Sequence, residues 1–147
     1  MKKQILLSAS ALAFCAIIYP ASGRAASFTI NSGNSPAGNQ TLGNNETGTV
    51  EAGGTINGDI DADPSTDATL TNSGTINGSI FATNSIGATI VNNGTISNDL
   101  RANYSNASVT NNGTINGPVS LAYGTATLTN TGTINSYIDA RSSTGAT

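Results

Sequence analysis

The stretch Ala68-Thr69-Leu70-Thr71-Asn72-Ser73-Gly74-Thr75-Ile76-Asn77-Gly78-Ser79-Ile80-Phe81-Ala82 decides the fold. Its even-numbered positions are small, aliphatic or Asn, and its odd-numbered positions are polar, with Phe81 the one exception. An alternation of two is the strand period, because successive side chains of an extended chain leave on opposite sides. No stretch after residue 26 carries the three-and-four spacing of an amphipathic helix. Ile and Thr favour strands, while Asn and Gly mark corners. The pattern predicts a strand near 68–72, a corner at Ser73-Gly74, a short strand near 75–77, a bend at Gly78 and a strand near 79–83.

The same pattern recurs. Gly-Thr-Ile begins at Gly54, Gly74, Gly94, Gly113 and Gly132, a spacing of 19–20 residues. A short period of this kind is the signature of a solenoid, in which each unit buries its apolar face only against its neighbours. The sequence alignment gives every copy one length and confines the variation to the segments 63–67, 83–87, 103–106, 122–125 and 141–145. The predicted fold is therefore an all-β parallel β-helix of five coils over residues 48–147, with a sixth beginning at Ala146.

Stacking the copies predicts three aliphatic columns: Val50, Leu70, Ile90, Val109 and Leu128; Ile56, Ile76, Ile96, Ile115 and Ile134; Ile60, Ile80, Leu100, Val119 and Ile138. Asn72, Asn92, Asn111 and Asn130 form a further column, read as a structural ladder of side-chain amides. Ala52 takes that place in the first copy. The glycines of Gly-Thr-Ile are expected at positive φ. No Lys and no helix follows them, so they are not a phosphate loop.

The chain has 5 Lys and Arg, 8 Asp and Glu, no His and a net charge of −3. Lys2, Lys3 and Arg24 fall in the N-terminal segment, leaving Arg101 and Arg141 as the bases of the remainder. This balance offers no electrostatic route to nucleic acid or an anionic membrane. The absence of His removes the commonest general base and metal ligand. Lys2 and Lys3, the apolar run Ile5 to Ile18 and the small residues that follow form a Sec-type export signal, with cleavage expected near residues 23–26. Cys15 lies inside it, after Phe14 rather than the small residue a lipidation site needs. The domain reading is thus a signal peptide over 1–26, an irregular N-terminal cap over 27–47 and the repeats over 48–147.

The motif Leu/Val-Thr-Asn-x-Gly-Thr-Ile-Asn, seen as Leu70 to Asn77, Val109 to Asn116 and Leu128 to Asn135, resembles the passenger repeats of bacterial autotransporters and filamentous surface adhesins. The resemblance covers about residues 48–147. It implies a right-handed parallel β-helix exported by Sec and carried across the outer membrane by a C-terminal β-barrel. The strand pattern of such a barrel is missing here. The chain is therefore expected to be a fragment, a truncated frame or a short exported relative, with the barrel as the missing covalent partner. The expected location is the cell surface or extracellular space where a translocator exists, and otherwise the periplasm.

Three sets of side chains are candidates for contact or chemistry. Tyr104 and Tyr123 lie in neighbouring linking loops, and Phe81 and Tyr137 in the third strand, where exposed rings can form a platform for sugars. Asp59, Asp61 and Asp63 alternate along one copy, with Asp99 and Arg101 two copies on. No three carboxylates converge in consecutive copies, which disfavours a polysaccharide-acting enzyme, and no metal or cofactor is implied. The outward threonines form two columns, Thr49, Thr69, Thr89, Ser108, Thr127 and Glu51, Thr71, Val91, Thr110, Thr129, similar to an ice-binding array but interrupted at Glu51, Val91 and Ser108. Pro118 is expected to remove one ladder donor. The leading expectation is a non-enzymatic structural or adhesive segment. A small secreted module binding glycan or ice is the alternative, and a β-helix enzyme the third.

Overall fold

The computed structural model describes residues 26–144. The export signal, Ala26 excepted, and the sixth copy expected to open at Ala146 lie outside the described residues. The strands, numbered in chain order, form three parallel sheets. The first holds β1 (Phe28–Ile30), β3 (Thr47–Val50), β6 (Thr69–Asn72), β9 (Thr89–Asn92), β12 (Ser108–Asn111) and β15 (Thr127–Asn130). The second holds β4 (Thr55–Ile56), β7 (Thr75–Ile76), β10 (Thr95–Ile96), β13 (Thr114–Ile115) and β16 (Thr133–Ile134). The third holds β2 (Gln40–Thr41), β5 (Ile60–Asp61), β8 (Ile80–Phe81), β11 (Leu100–Arg101), β14 (Val119–Ser120) and β17 (Ile138–Asp139). Each strand pairs with the equivalent strand one repeat away, so the chain is a parallel β-solenoid of about six coils.

The additional coil is N-terminal. Residues 27–47 contribute β1, in register with β3 at Phe28↔Gly48 and Ile30↔Val50, and β2, in register with β5. Inward positions close into one core. Ile56, Ile76, Ile96 and Ile115 are fully buried, as are Ile60, Ile80, Leu100 and Val119. Burial of each such side chain is worth about 2 kcal/mol. In the last described coil Leu128 and Ile134 are only partly buried and Ile138 is exposed, because no described residue lies over them.

Two expectations are corrected. The first concerns register. β3 pairs with β6 at Thr47↔Thr69, Gly48↔Leu70, Thr49↔Thr71 and Val50↔Asn72, two residues from the sequence alignment. The copies are therefore not all of one length. The corner between β3 and β4 carries Glu51-Ala52-Gly53-Gly54, where later coils carry two residues, and Gly53 takes φ 81°. A slip of two conserves which side chains face inward. Gly48 then leaves room for the Phe28 ring. Outward, the slip moves Glu51 off the first sheet and aligns Thr29, Thr49, Thr71, Val91, Thr110 and Thr129 in one rank. A second rank runs through Thr47, Thr69, Thr89, Ser108 and Thr127.

The second correction concerns the glycines of Gly-Thr-Ile. Positive φ occurs at Gly33, Gly53 and Gly87, and none of these belongs to that column. A Cβ on Gly94 would overlap the carbonyl oxygen of Gly74, and a Cβ on Gly113 that of Gly94. That same oxygen accepts the ladder bond from the following threonine, as in Thr95 N–H to Gly74 O at 2.9 Å and Thr114 N–H to Gly94 O at 2.9 Å. Glycine is required by close approach of backbones, not by a left-handed turn.

Candidate binding face

Asn72 donates through Nδ2 to Asn92 Oδ1 at 2.8 Å, Asn92 to Asn111 at 2.7 Å and Asn111 to Asn130 at 2.7 Å. Each donor also reaches the threonine carbonyl of the next coil, Thr95, Thr114 or Thr133, at 3.2 Å. Asn72, Asn92 and Asn111 are buried. These amides are committed to one another and to the corner backbone, which leaves them nothing for a ligand. A second ladder escaped the sequence reading: Asn77 donates to Asn57 at 2.9 Å and Asn135 to Asn116 at 2.7 Å, on the outside of the second corner. The last residue of the repeated Gly-Thr-Ile-Asn was the available signal. The linking loops also hold buried Ser65, Ser85 and Ser105, at one shared loop position, with Ser85 Oγ donating to Ala62 O at 2.6 Å.

The loop after the third sheet carries the aromatic candidates. Tyr104 and Tyr123 stack with ring centroids 5.1 Å apart and planes 14° from parallel. Both are exposed, and both hold positive φ, 52° and 63°. That region is unfavourable for a residue with a bulky side chain. The coil below places Asn84 there, at φ 56°. Asn accepts this conformation more readily than Tyr does. Phe81 does not join the tyrosines; it is half-buried under Arg101, whose guanidinium carbon lies 5.7 Å from the ring centroid.

A shallow groove of about 150 Å³ runs beside these loops, lined by Asp99, Arg101, Asn103, Pro118, Ser120, Tyr137 and Asp139. Its chemistry follows from Pro118. In two of the coils below, the amide at the corresponding position donates to a side chain of the previous coil: Asp59 N–H to Asn39 Oδ1 at 2.9 Å and Ser79 N–H to Asp59 Oδ1 at 2.7 Å. Pro118 has no N–H to offer Asp99. The donor it removes is thus one aimed at a side chain, not a rung of the backbone ladder. Asp99 instead receives Arg101, at 2.7 Å. Asn103 Oδ1 accepts Ser120 Oγ–H at 2.7 Å and Ala122 N–H at 2.9 Å, and its Nδ2 has no protein partner among the described residues.

One coil up, Arg141 forks onto Asp139, Nε to Oδ1 at 2.9 Å and Nη2 to Oδ2 at 2.7 Å. The donated bond from the Arg141 side chain, then that from its backbone amide, holds the Asp139 carboxyl below its usual range. The Arg141 guanidinium is raised in turn, first by that bond and then by the carboxylate charge, with Tyr123 and Tyr137 adding in the same direction. The Tyr123 amide donates to Arg141 O at 3.0 Å, which ties the backbone of Arg141 to the tyrosine loop. Asp61 pairs in register with Phe81, and Asp63 Oδ1 accepts from Asn84 Nδ2 at 3.3 Å, so neither faces a second carboxylate. Among the described residues no three His, Cys, Asp or Glu gather to hold a metal ion. No family profile matches the chain, and no curated protein and no solved structure is significantly similar to it.

Proposed function

We propose that the chain is a non-enzymatic solenoid segment of an adhesin-like, exported passenger that presents a carbohydrate-contact ridge at the bacterial surface. The observation that supports this reading most directly is the stacked Tyr104–Tyr123 pair, exposed and held at positive φ on a rigid corner. An arrangement that costs conformational energy and gains little burial is worth keeping when the rings serve a partner. The stack leaves its two outer ring faces and its edges open near Arg101, Asn103 and Asp139, and these suit a sugar, which offers apolar C–H faces and a rim of hydroxyls. Each groove carboxylate is already occupied by an arginine, so the pair Asp99 and Asp139 is poorly disposed to share acid and base roles. Export would follow the N-terminal signal, and a C-terminal barrel, on this chain's continuation or a separate one, would deliver the solenoid to the surface.

The test is a glycan array and affinity electrophoresis of the full chain against Tyr104→Asn and Tyr123→Asn. Asn84 already occupies this column, so the replacements conserve the loop backbone. Polysaccharide retardation lost in both variants, with thermal melting unchanged or raised, is the expected result. Absence of any retention by the parent chain, or equal retention by all three, refutes the carbohydrate ridge.

A further inference from the structure

From the first sheet's outer surface we infer a second binding face, one for ice. The two-residue register slip removes Glu51 from this surface, placing it at the β3–β4 corner, where its carbonyl accepts Gly54 N–H at 2.9 Å. Two parallel ranks of outward residues remain, almost all threonine, and none is charged. The charged side chains of the described residues lie on the third sheet, in the loops or at the β3–β4 corner; Glu46, directly before β3, comes nearest the ranks, and its carboxylate accepts the Ser27 hydroxyl at their N-terminal end. Within a rank, neighbours stand one coil apart, about 4.8 Å; across ranks they are two residues apart along one strand, about 6.6 Å. The shorter repeat lies close to the basal oxygen repeat of hexagonal ice, and the longer falls somewhat short of the repeat along its c axis.

Spacing alone would be weak ground. A second observation is that none of the threonine hydroxyls in the two ranks donates to a protein acceptor among the described residues; the outward threonines of the second sheet share this, but form a single rank, whereas here two ranks run side by side with no charge between them. Their bonding capacity is left to water. Each threonine hydroxyl is paired with a methyl, and on the four inner strands both are fixed by ladders on each side, so water there would meet a rigid lattice. Charged groups would orient water radially and break that order. Ser108 retains the hydroxyl, and Val91 retains the methyl shape but not the hydroxyl.

The experiment measures thermal hysteresis, ice shaping and partition into a growing ice hemisphere. It uses the full chain, expressed with its own N-terminal segment. Thr71→Lys places a charge in the middle of the array. Thr41→Lys makes the same change at an outward strand position of the third sheet, away from the groove. Val91→Thr completes the interrupted rank. The parent and Thr41→Lys are expected to shape ice and enter it, Thr71→Lys to fall to the level of a non-binding protein, and Val91→Thr to exceed the parent. Val91→Thr keeps the test open even where Thr71→Lys disturbs folding. The inference is overturned if the parent is excluded from ice, or if all variants behave alike. It is also overturned if Thr71→Lys only converts a self-associated chain to a monomer in sedimentation. Loss of sugar retention in the tyrosine variants bears on the other face and leaves this outcome unaffected.

Discussion

A single carbonyl oxygen illustrates how tightly successive coils meet. Gly74 O accepts the Thr95 amide at 2.9 Å and lies where a Cβ of Gly94 would have to go. The obstruction is backbone, so no rotamer relieves it. Gly94→Ala is expected to cost about 1–3 kcal/mol, as overpacking does. Gly38→Ala, where a Cβ meets nothing within 4 Å, should stay within about 0.5 kcal/mol of the parent. Urea midpoints at unchanged slope measure both; equal effects would mean the close approach is not what selects glycine. Charge offers a second single-residue test. Asp139 is held below its ordinary value chiefly by Arg141. A lowered carboxyl stabilises the fold above its unfolded pKa, and that contribution is lost as pH falls through the folded value. Arg141→Met should therefore raise the Asp139 midpoint toward an unperturbed carboxylate, as followed by carboxyl NMR. The pair is exposed, so the melting temperature should scarcely move.

At the scale of the element, the asparagine ladder ties cost to position rather than to residue type. Asn92 receives the Asn72 amide and donates to Asn111, all three buried, and to the carbonyl of the part-buried Thr114. Asn92→Leu orphans groups in the coils on both sides, on the order of 2–4 kcal/mol. Asn130 is exposed and donates only at 3.4 Å, to Gly132 O; it accepts from Asn111, which keeps Thr133 O at 3.2 Å, so Asn130→Leu should cost about 1 kcal/mol, less than Asn92→Leu. Equal losses in a denaturant series would remove the ladder from the account. The ladder was legible in the sequence because Asn72, Asn92, Asn111 and Asn130 recur at one place in four successive copies. The strands were legible because period two survives any even shift. That same degeneracy hid the register of β3: Gly48 over Leu70 and Val50 over Leu70 preserve the inward parity equally well. The choice was made by the Phe28 ring, from a coil whose irregular 31–39 segment masks its strands. The Tyr104–Tyr123 stack was half legible. Neighbouring loops placed the rings together, but nothing local announces that a tyrosine will adopt positive φ.

For the whole molecule, the question is whether six coils act as one cooperative unit or as a sum of neighbours. Every ladder runs only to the adjacent coil, through both the backbone and the amide columns. Such a molecule has a stability that adds by coil and interface. Removing residues 88–106, one complete repeat, joins Gly87 to Ala107 and restacks Leu70 beneath Val109 and Ile76 beneath Ile115. Every column survives with one member fewer. Removing only residues 88–97 places a linking loop against the third sheet and leaves Ile76 facing no partner above. The full-repeat deletion should retain the parallel-sheet circular dichroism and a cooperative urea transition. Its midpoint should fall, and its slope should drop by about one sixth, in proportion to the surface exposed on unfolding. The half-repeat deletion should give no cooperative transition. If both deletions unfold the chain alike, stability is held by some feature of one particular coil, and interchangeable neighbours cannot be the basis of this fold.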